Sequence, residues 1–128
     1  MIMTTAMCLA LNVFFEARTE PVMGQLAVIE VTMNRVESRS YPDTVCEVVW
    51  DKKQFSWTHD GVHDDPTRMS YLDKLAWEDT TALVDAYLNG DIDMPSSGAT
   101  MYHADYVNPY WASSYTPVAK VGSHIFYK

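Results

Sequence analysis

Positive charge is what this 128-residue chain has least of, with nine Lys and Arg against 17 Asp and Glu and a net charge of −8. Such a surface offers no basic patch to a phosphate backbone, which excludes nucleic acid as a partner. Cysteine is nearly absent as well. Cys8 and Cys46 are too few and too far apart for a zinc knuckle, which leaves two buried thiols or one disulfide as the alternatives. No apolar run is long enough to span a bilayer. The mildly apolar stretch from Ala6 to Phe15 is cut by Glu16 and lacks a basic leader and a small-residue cleavage site, so neither a signal peptide nor a membrane span is expected. Repeats, linkers and low-complexity tracts are also missing, and residues 1–128 are expected to form a single domain.

The 48% of apolar residues suffices for one core, and its spacing is mainly helical. Met3, Ala6, Met7, Ala10, Val13 and Phe14 predict a first helix that Thr4 or Thr5 caps and that runs to about Ala17. Thr19 as N-cap and Glu20-Pro21 as first turn predict a second. Its stripe of Val22, Leu26, Ile29, Met33 and Val36, widened by Ala27, Val28 and Val31, marks it as the expected buried centre. Thr44 to Trp50 reads as a short third helix capped by Asp43. Asp51 to Met69 has no sustained period and suggests a structured loop or small hairpin. Helical spacing returns from Tyr71 to Asn89-Gly90. Beyond Ser96 the expectation is a short extended piece near Thr100 to Ala104, followed by a hairpin. Its arms are Pro117 to Val121 and His124 to Tyr127, with the turn at Gly122-Ser123. The fold class is α+β.

Within this pattern Glu16 is out of place. A carboxylate in the last turn of a helix faces the partial negative charge of the carbonyl end, a cost of up to about 1 kcal/mol when exposed. Val13, Phe14 and Phe15 supply apolar surface beside it, and loss of water acts in the same direction. Both effects favour a carboxyl that keeps its proton near neutral pH, as the general acid of glycosidic cleavage must. Arg18 works the other way. On position alone a solvated surface glutamate, the commoner case at helix ends, is the favoured reading.

The blocks NVFFEARTEPVMGQLAVIEVTMNRV, YPDTVCEVVWDKKQFSW, YHADYVNPYWA and GSHIFY, in that order, resemble the cell-wall hydrolase family typified by spore cortex-lytic enzymes. The resemblance covers about Cys8 to Tyr127. It implies a lysozyme-like fold and cleavage of the MurNAc-GlcNAc β-1,4 bond of peptidoglycan glycan strands, commonly as a lytic transglycosylase, with Glu16 in the position of the catalytic acid. It implies no cofactor. Alternatives are a hydrolytic muramidase and a catalytically silent glycan-binding module. A muramidase needs a second carboxylate roughly 5 to 9.5 Å away. Glu20, Glu30 and Glu47 have ordinary explanations in a helix first turn, a polar helix face and an amphipathic helix, and Asp60 in the loop is the remaining candidate.

Sugars present an apolar face rimmed by hydroxyls, so a glycan groove wants aromatic platforms with amide and hydroxyl partners. Gln54, Ser56, Trp57, Tyr102, His103 and Trp111 are the candidate substrate-binding residues, while Phe55 reads as core. His103 and His124 are expected to hydrogen-bond within the β portion, His103 also being placed to touch substrate. His59 and His63 flank a Gly and an Asp with no third ligand evident, so no metal site is expected.

Three departures from the family pattern stand out. Thr19 replaces a common Gly, Lys53 and His59 replace cysteines on either side of QFSWT, and the net charge of −8 gives no long-range attraction to an anionic wall. The chain is expected to act as a monomer at the bacterial cell wall or periplasm. The lack of a leader suits a small phage endolysin released from the host cytoplasm through a holin, or a bacterial enzyme separated from its leader; the phage context is the expectation.

Overall fold

A computed structural model of the chain describes residues 3–51 and 70–128. The elements are α1 (Thr5–Ala17), α2 (Val22–Glu37), α3 (Val45–Trp50), α4 (Tyr71–Leu88), β1 (Met101–Ala104), a 3-10 turn (Tyr110–Ser114), β2 (Pro117–Val121) and β3 (His124–Tyr127). This is the α+β architecture that the periodicity predicts. No helix among the described residues is long and apolar enough to cross a membrane.

The hub is α1 rather than α2. Every residue from Cys8 to Phe14 is buried, and α1 packs against α2, α3 and α4. A helix that is apolar nearly all round has to be enclosed, because no face of it is content in water. Burying side chains such as Leu9 and Phe14 contributes about 1.5–3 kcal/mol each. Thr4 starts the helix by accepting the Met7 amide at 3.1 Å.

In α2 the buried set is Gly24, Leu26 to Thr32 and Arg35. The middle of the expected stripe, Leu26 to Val31, is buried, but its first member Val22 is 57% exposed, and the face toward the core also includes two charged residues, Glu30 and Arg35. The N-cap is Pro21 and not Thr19, so Glu20 lies outside the helix that the sequence pattern gave it. In α3 the cap is Thr44 instead of Asp43. Its hydroxyl accepts the Glu47 amide at 3.2 Å and donates to the Glu47 carboxylate at 2.8 Å. Helix α4 starts at Ser70, whose side chain accepts the Asp73 amide, and its expected stripe is only partly used. Thr80 and Val84 are buried, Trp77 meets Phe14 edge to face at 5.6 Å, and Leu72 stays 74% exposed.

A disulfide joins Cys8 of α1 to Cys46 of α3, with the Cα atoms 5.3 Å apart, and so settles the alternative left open by the sequence.

The three strands form one antiparallel sheet in the order β1-β3-β2. Tyr102 pairs with Phe126 and Ala104 with His124, so Tyr102, His124 and Phe126 share one face, while His103, Ile125 and Tyr127 share the other. Two donors from neighbouring positions of α2 hold the approach to β1. Asn34 Nδ2 donates to the Ala99 carbonyl at 2.8 Å, and Arg35 Nε donates to the Thr100 carbonyl at 2.7 Å. The β2–β3 turn needs Gly122, whose φ is +56° and whose missing Cβ would stand 2.5 Å from Glu20 Oε1.

Candidate active site

Glu16 is the penultimate residue of α1 and is partly buried, next to the buried Ala17 and one turn beyond the buried Asn12 on the same side of the helix. Burial is the largest influence on its carboxyl and lifts it to about 7, against the hydrogen bond from Tyr102 and the charge of Arg35, which pull it down. The carboxyl is thus poised near neutrality, able to hold a proton and to release it. The cation opposing burial is Arg35 from α2 and not Arg18. Arg18 lies over the Phe14 ring at 4.7 Å and faces Asp73 of α4 at 3.8 Å.

Tyr102 comes from β1. Its buried surroundings push the phenol well above the ordinary tyrosine range, with the Glu16 charge adding to the effect, so it stays a donor toward that carboxyl. Its ring is held between His124 at 5.1 Å and Phe126 at 5.3 Å. Arg35 is 3% exposed; its guanidinium lies 5.1 Å from the centre of the Tyr41 ring and reaches the Met101 sulfur at 3.6 Å. A carboxyl facing one neutral donor and one cation, with apolar walls around them, has the parts of a proton donor whose conjugate base is also stabilised.

The other aromatic candidates are placed differently. His103 is on the opposite face of the sheet from Tyr102, and protein groups engage both its ring nitrogens at 2.7 Å. Nδ1–H donates to the Ala104 carbonyl, and Nε2 accepts from the Tyr127 hydroxyl. The expected hydrogen bonding within the β portion is therefore present for His103, whereas His124 Nδ1 faces the Glu20 carboxylate at 3.8 Å without a hydrogen bond. Trp111, in the 3-10 turn, packs edge-on to His103 at 5.6 Å and to Tyr127 at 5.3 Å. The structure thus brings Tyr102 to Glu16 and gathers His103 and Trp111 into a second aromatic group. Gln54, Ser56 and Trp57 lie outside the described residues, as do Phe55, His59, Asp60 and His63.

Among the candidate second carboxylates, Glu20 takes both its hydrogen bonds from Ser123, the amide at 2.8 Å and the hydroxyl at 2.7 Å. Glu30 is 7% exposed and accepts from Asn34, Ser97 and the Gly98 amide, each at 2.9 Å, so it is an internal brace and not a group on a polar face. Glu47 accepts from the hydroxyl of its own cap, Thr44. Among the described residues no group of three or more His, Cys, Asp or Glu is arranged to hold a metal ion. Arg35 is the site residue that sequence reasoning passed over. The available signal was a cation recurring on the inward stripe of α2, seven residues after Val28.

Comparison with known proteins shows the family and the fold. The spore cortex-lytic enzyme of Halalkalibacterium halodurans is 33% identical over 123 residues, which is 92% of this chain and 33% of that protein. The enzyme of the same name from Bacillus cereus is 32% identical over 118 residues, 91% of this chain and 41% of that protein. The chain thus spans well under half the length of these relatives. Among solved structures, the catalytic domain of the germination-specific lytic transglycosylase SleB from Bacillus anthracis superposes with a TM-score of 0.69 and 29% identity, covering 99% of this chain and 97% of that one. The Bacillus cereus SleB catalytic domain gives 0.64 and 30%, covering 97% and 90%. The fold is therefore the lysozyme-like one that the resemblance implied. The family model for cell wall hydrolases matches residues 19–127, beginning just past Glu16. With helices, sheet and chain order all in agreement, this chain belongs to the cell wall hydrolase family.

Proposed function

We propose that this chain cleaves the β-1,4 bond between N-acetylmuramic acid and N-acetylglucosamine in peptidoglycan glycan strands, as a lytic transglycosylase with Glu16 as its general acid and base. The observation that carries this reading is the Glu16 carboxyl, poised at about 7 by burial and faced by Tyr102 and Arg35. Both named relatives are spore cortex-lytic enzymes, and the matching Bacillus anthracis domain is a lytic transglycosylase, which supports the same substrate and reaction.

In this mechanism protonated Glu16 gives its proton to the bridging oxygen as that bond lengthens and positive character grows at the muramic acid anomeric carbon. The resulting carboxylate, stabilised by the Tyr102 hydroxyl and the Arg35 charge, then takes a proton from the muramic acid C6 hydroxyl. The C6 oxygen closes onto the anomeric carbon to give a 1,6-anhydro product, and Glu16 is again protonated. One carboxyl performs both steps, whereas a muramidase would need a second. Glu20, Glu30 and Glu47 are each occupied by protein donors, which favours the single-carboxyl route over hydrolysis by any of these three.

Digestion of purified peptidoglycan followed by mass spectrometry tests the reading. Anhydromuropeptides are expected. Reducing ends would make the chain a muramidase, and an absence of fragments would make it a glycan-binding module. Glu16→Gln is expected to abolish release while the chain stays folded; a fully active variant would overturn the mechanism.

A further inference from the structure

Glu20 is a carboxylate just past the end of α1 whose engagement the reaction does not require. It sits between α1 and α2, before the Pro21 cap, and reaches across to the β2–β3 turn. Its two oxygens accept from the amide and the hydroxyl of the same residue, Ser123, at 2.8 and 2.7 Å. The fit is tight, since a Cβ on Gly122 would come within 2.5 Å of Glu20 Oε1 and 2.9 Å of Pro21 Cδ. The next residue, His124, has its Nδ1 3.8 Å from Glu20 Oε1, too far for a hydrogen bond but close enough for charge to act. The His124 ring lies 5.1 Å from that of Tyr102, and Tyr102 meets Glu16.

We propose that Glu20 is a positioning residue for Glu16: by clamping the Gly122-Ser123 turn it sets His124 against Tyr102 and so fixes the Tyr102 hydroxyl at the Glu16 carboxyl. The inference rests on the reading of Glu16 as the acid. It assigns Glu20 no contact with the glycan. Sequence separation is the reason for such a device. Glu16 and Glu20 belong to the first helical hairpin, while Tyr102, Ser123 and His124 belong to the sheet, so only long-range contacts can register one against the other. Neighbouring side chains of β1 and β3 pass the position along the inner face of the sheet, where Tyr102, His124 and Phe126 are in ring contact.

Charges are consistent with the clamp. Burial works to raise the Glu20 carboxyl, but the Ser123 hydroxyl and amide and the nearby His124 outweigh it, and the group ends below the ordinary carboxylate range. It is therefore ionised through the neutral range and accepts from Ser123 throughout. His124 is held below its ordinary value by burial, against Glu20 and Asp105, which raise it. Facing Glu16 itself, among the described residues, are Tyr102 from β1 and Arg35 from α2.

The test compares wild type with Glu20→Gln, Ser123→Ala, Tyr102→Phe, the Glu20→Gln/Tyr102→Phe double variant and Glu16→Gln. Two readouts are taken: kinetics of glycan release, and NMR titration of the Glu16 carboxyl, which needs no substrate. Glu20→Gln and Ser123→Ala are expected to lower kcat about tenfold with little change in KM, as slight misplacement of a reacting group does. Each should also move the Glu16 titration upward, toward that of Tyr102→Phe, and the double variant should move it no further than Tyr102→Phe alone. Should Glu20→Gln not fold, Ser123→Ala carries the same comparison with Glu20 intact. An unmoved Glu16 titration in folded Glu20→Gln or Ser123→Ala, or additive shifts in the double variant, would overturn the inference. So would reducing-end products whose release Glu20→Gln abolishes, since Glu20 would then be a second catalytic carboxylate. An active Glu16→Gln would instead remove the proposed function, while the titration still decides the role of Glu20.

Discussion

Arg35 Nε donates a 2.7 Å hydrogen bond to the Thr100 carbonyl, so a buried cation of α2 fixes the backbone two residues before Tyr102. The same guanidinium lies close enough to Glu16 to oppose the effect of burial there. Arg35→Met keeps the aliphatic bulk and removes both functions. It is expected to cost about 2–3 kcal/mol of stability, the scale of a lost hydrogen bond to a charged group, and to raise the Glu16 titration further. Urea unfolding and NMR titration measure the two effects separately.

The Glu16 carboxyl also imposes a pH dependence on folding. Its folded value, about 7, is above the unfolded value of 4.5, so the folded chain holds the proton more tightly. That contribution is fully present below pH 4.5 and is lost as pH rises through about 7. At about 1.4 kcal/mol per unit, the loss is at most about 3.5 kcal/mol. Wild type is therefore expected to fall behind Glu16→Gln in unfolding free energy between mildly acidic and mildly alkaline buffer. Denaturant titrations of both proteins at the two pH values check it; a difference that stays constant would contradict the assigned proton affinity. Glycan release by wild type should decline over the same window, because the acid is then ionised before it meets substrate.

The Cys8–Cys46 bridge closes a loop with a sequence separation of 38 between α1 and α3. Restricting the unfolded chain by a loop of that length is worth about 3–4 kcal/mol in the chain-entropy account. The Cys8→Ser/Cys46→Ser double variant is expected to lose roughly that much unfolding free energy, while the Glu16 titration is unchanged, since Cys8 lies about two turns before Glu16 on α1. Chemical denaturation with and without reductant gives the same comparison on wild type.

Two glycines with positive φ should respond differently to alanine. Gly122 combines φ +56° with the 2.5 Å approach of Glu20, whereas Gly90, at φ +77°, has nothing within 4 Å of a new Cβ. Gly90→Ala is expected to cost about 1 kcal/mol, the left-handed backbone penalty alone. Gly122→Ala adds a clash and should exceed it by about 1–2 kcal/mol. Thermal or urea unfolding of the two variants tests the ordering.

Much of this molecule was legible from local pattern. The limits of α4 at Asn89-Gly90 and of the β2–β3 hairpin were available because turn residues and spacing are local signals. The caps were less legible: Thr44 took the place expected of its neighbour Asp43, and Pro21 that of Thr19, since several adjacent residues can cap and the backbone selects one. Glu16 was visible through its conflict with the helix end, yet its shift has burial as the largest cause, which only the assembled fold supplies. Arg35, Glu20 and Glu30 were misplaced or passed over for one reason. Charged residues read as solvated until a distant partner is known, and their partners are Thr100, Ser123 and Ser97. Tyr102 and His103 looked equivalent in sequence; the pleat separated them.

That separation has a sharper consequence. Since adjacent strand residues alternate sides, sliding β1 by a single position would exchange the phenol for an imidazole at the α1 terminus, replacing a hydroxyl donor with a ring whose two nitrogens can accept as well as donate. Asn34 and Arg35, gripping the consecutive carbonyls of Ala99 and Thr100, act as a two-toothed ratchet against that slip. Chemical identity beside the acid is thereby guarded from a helix that carries neither ring.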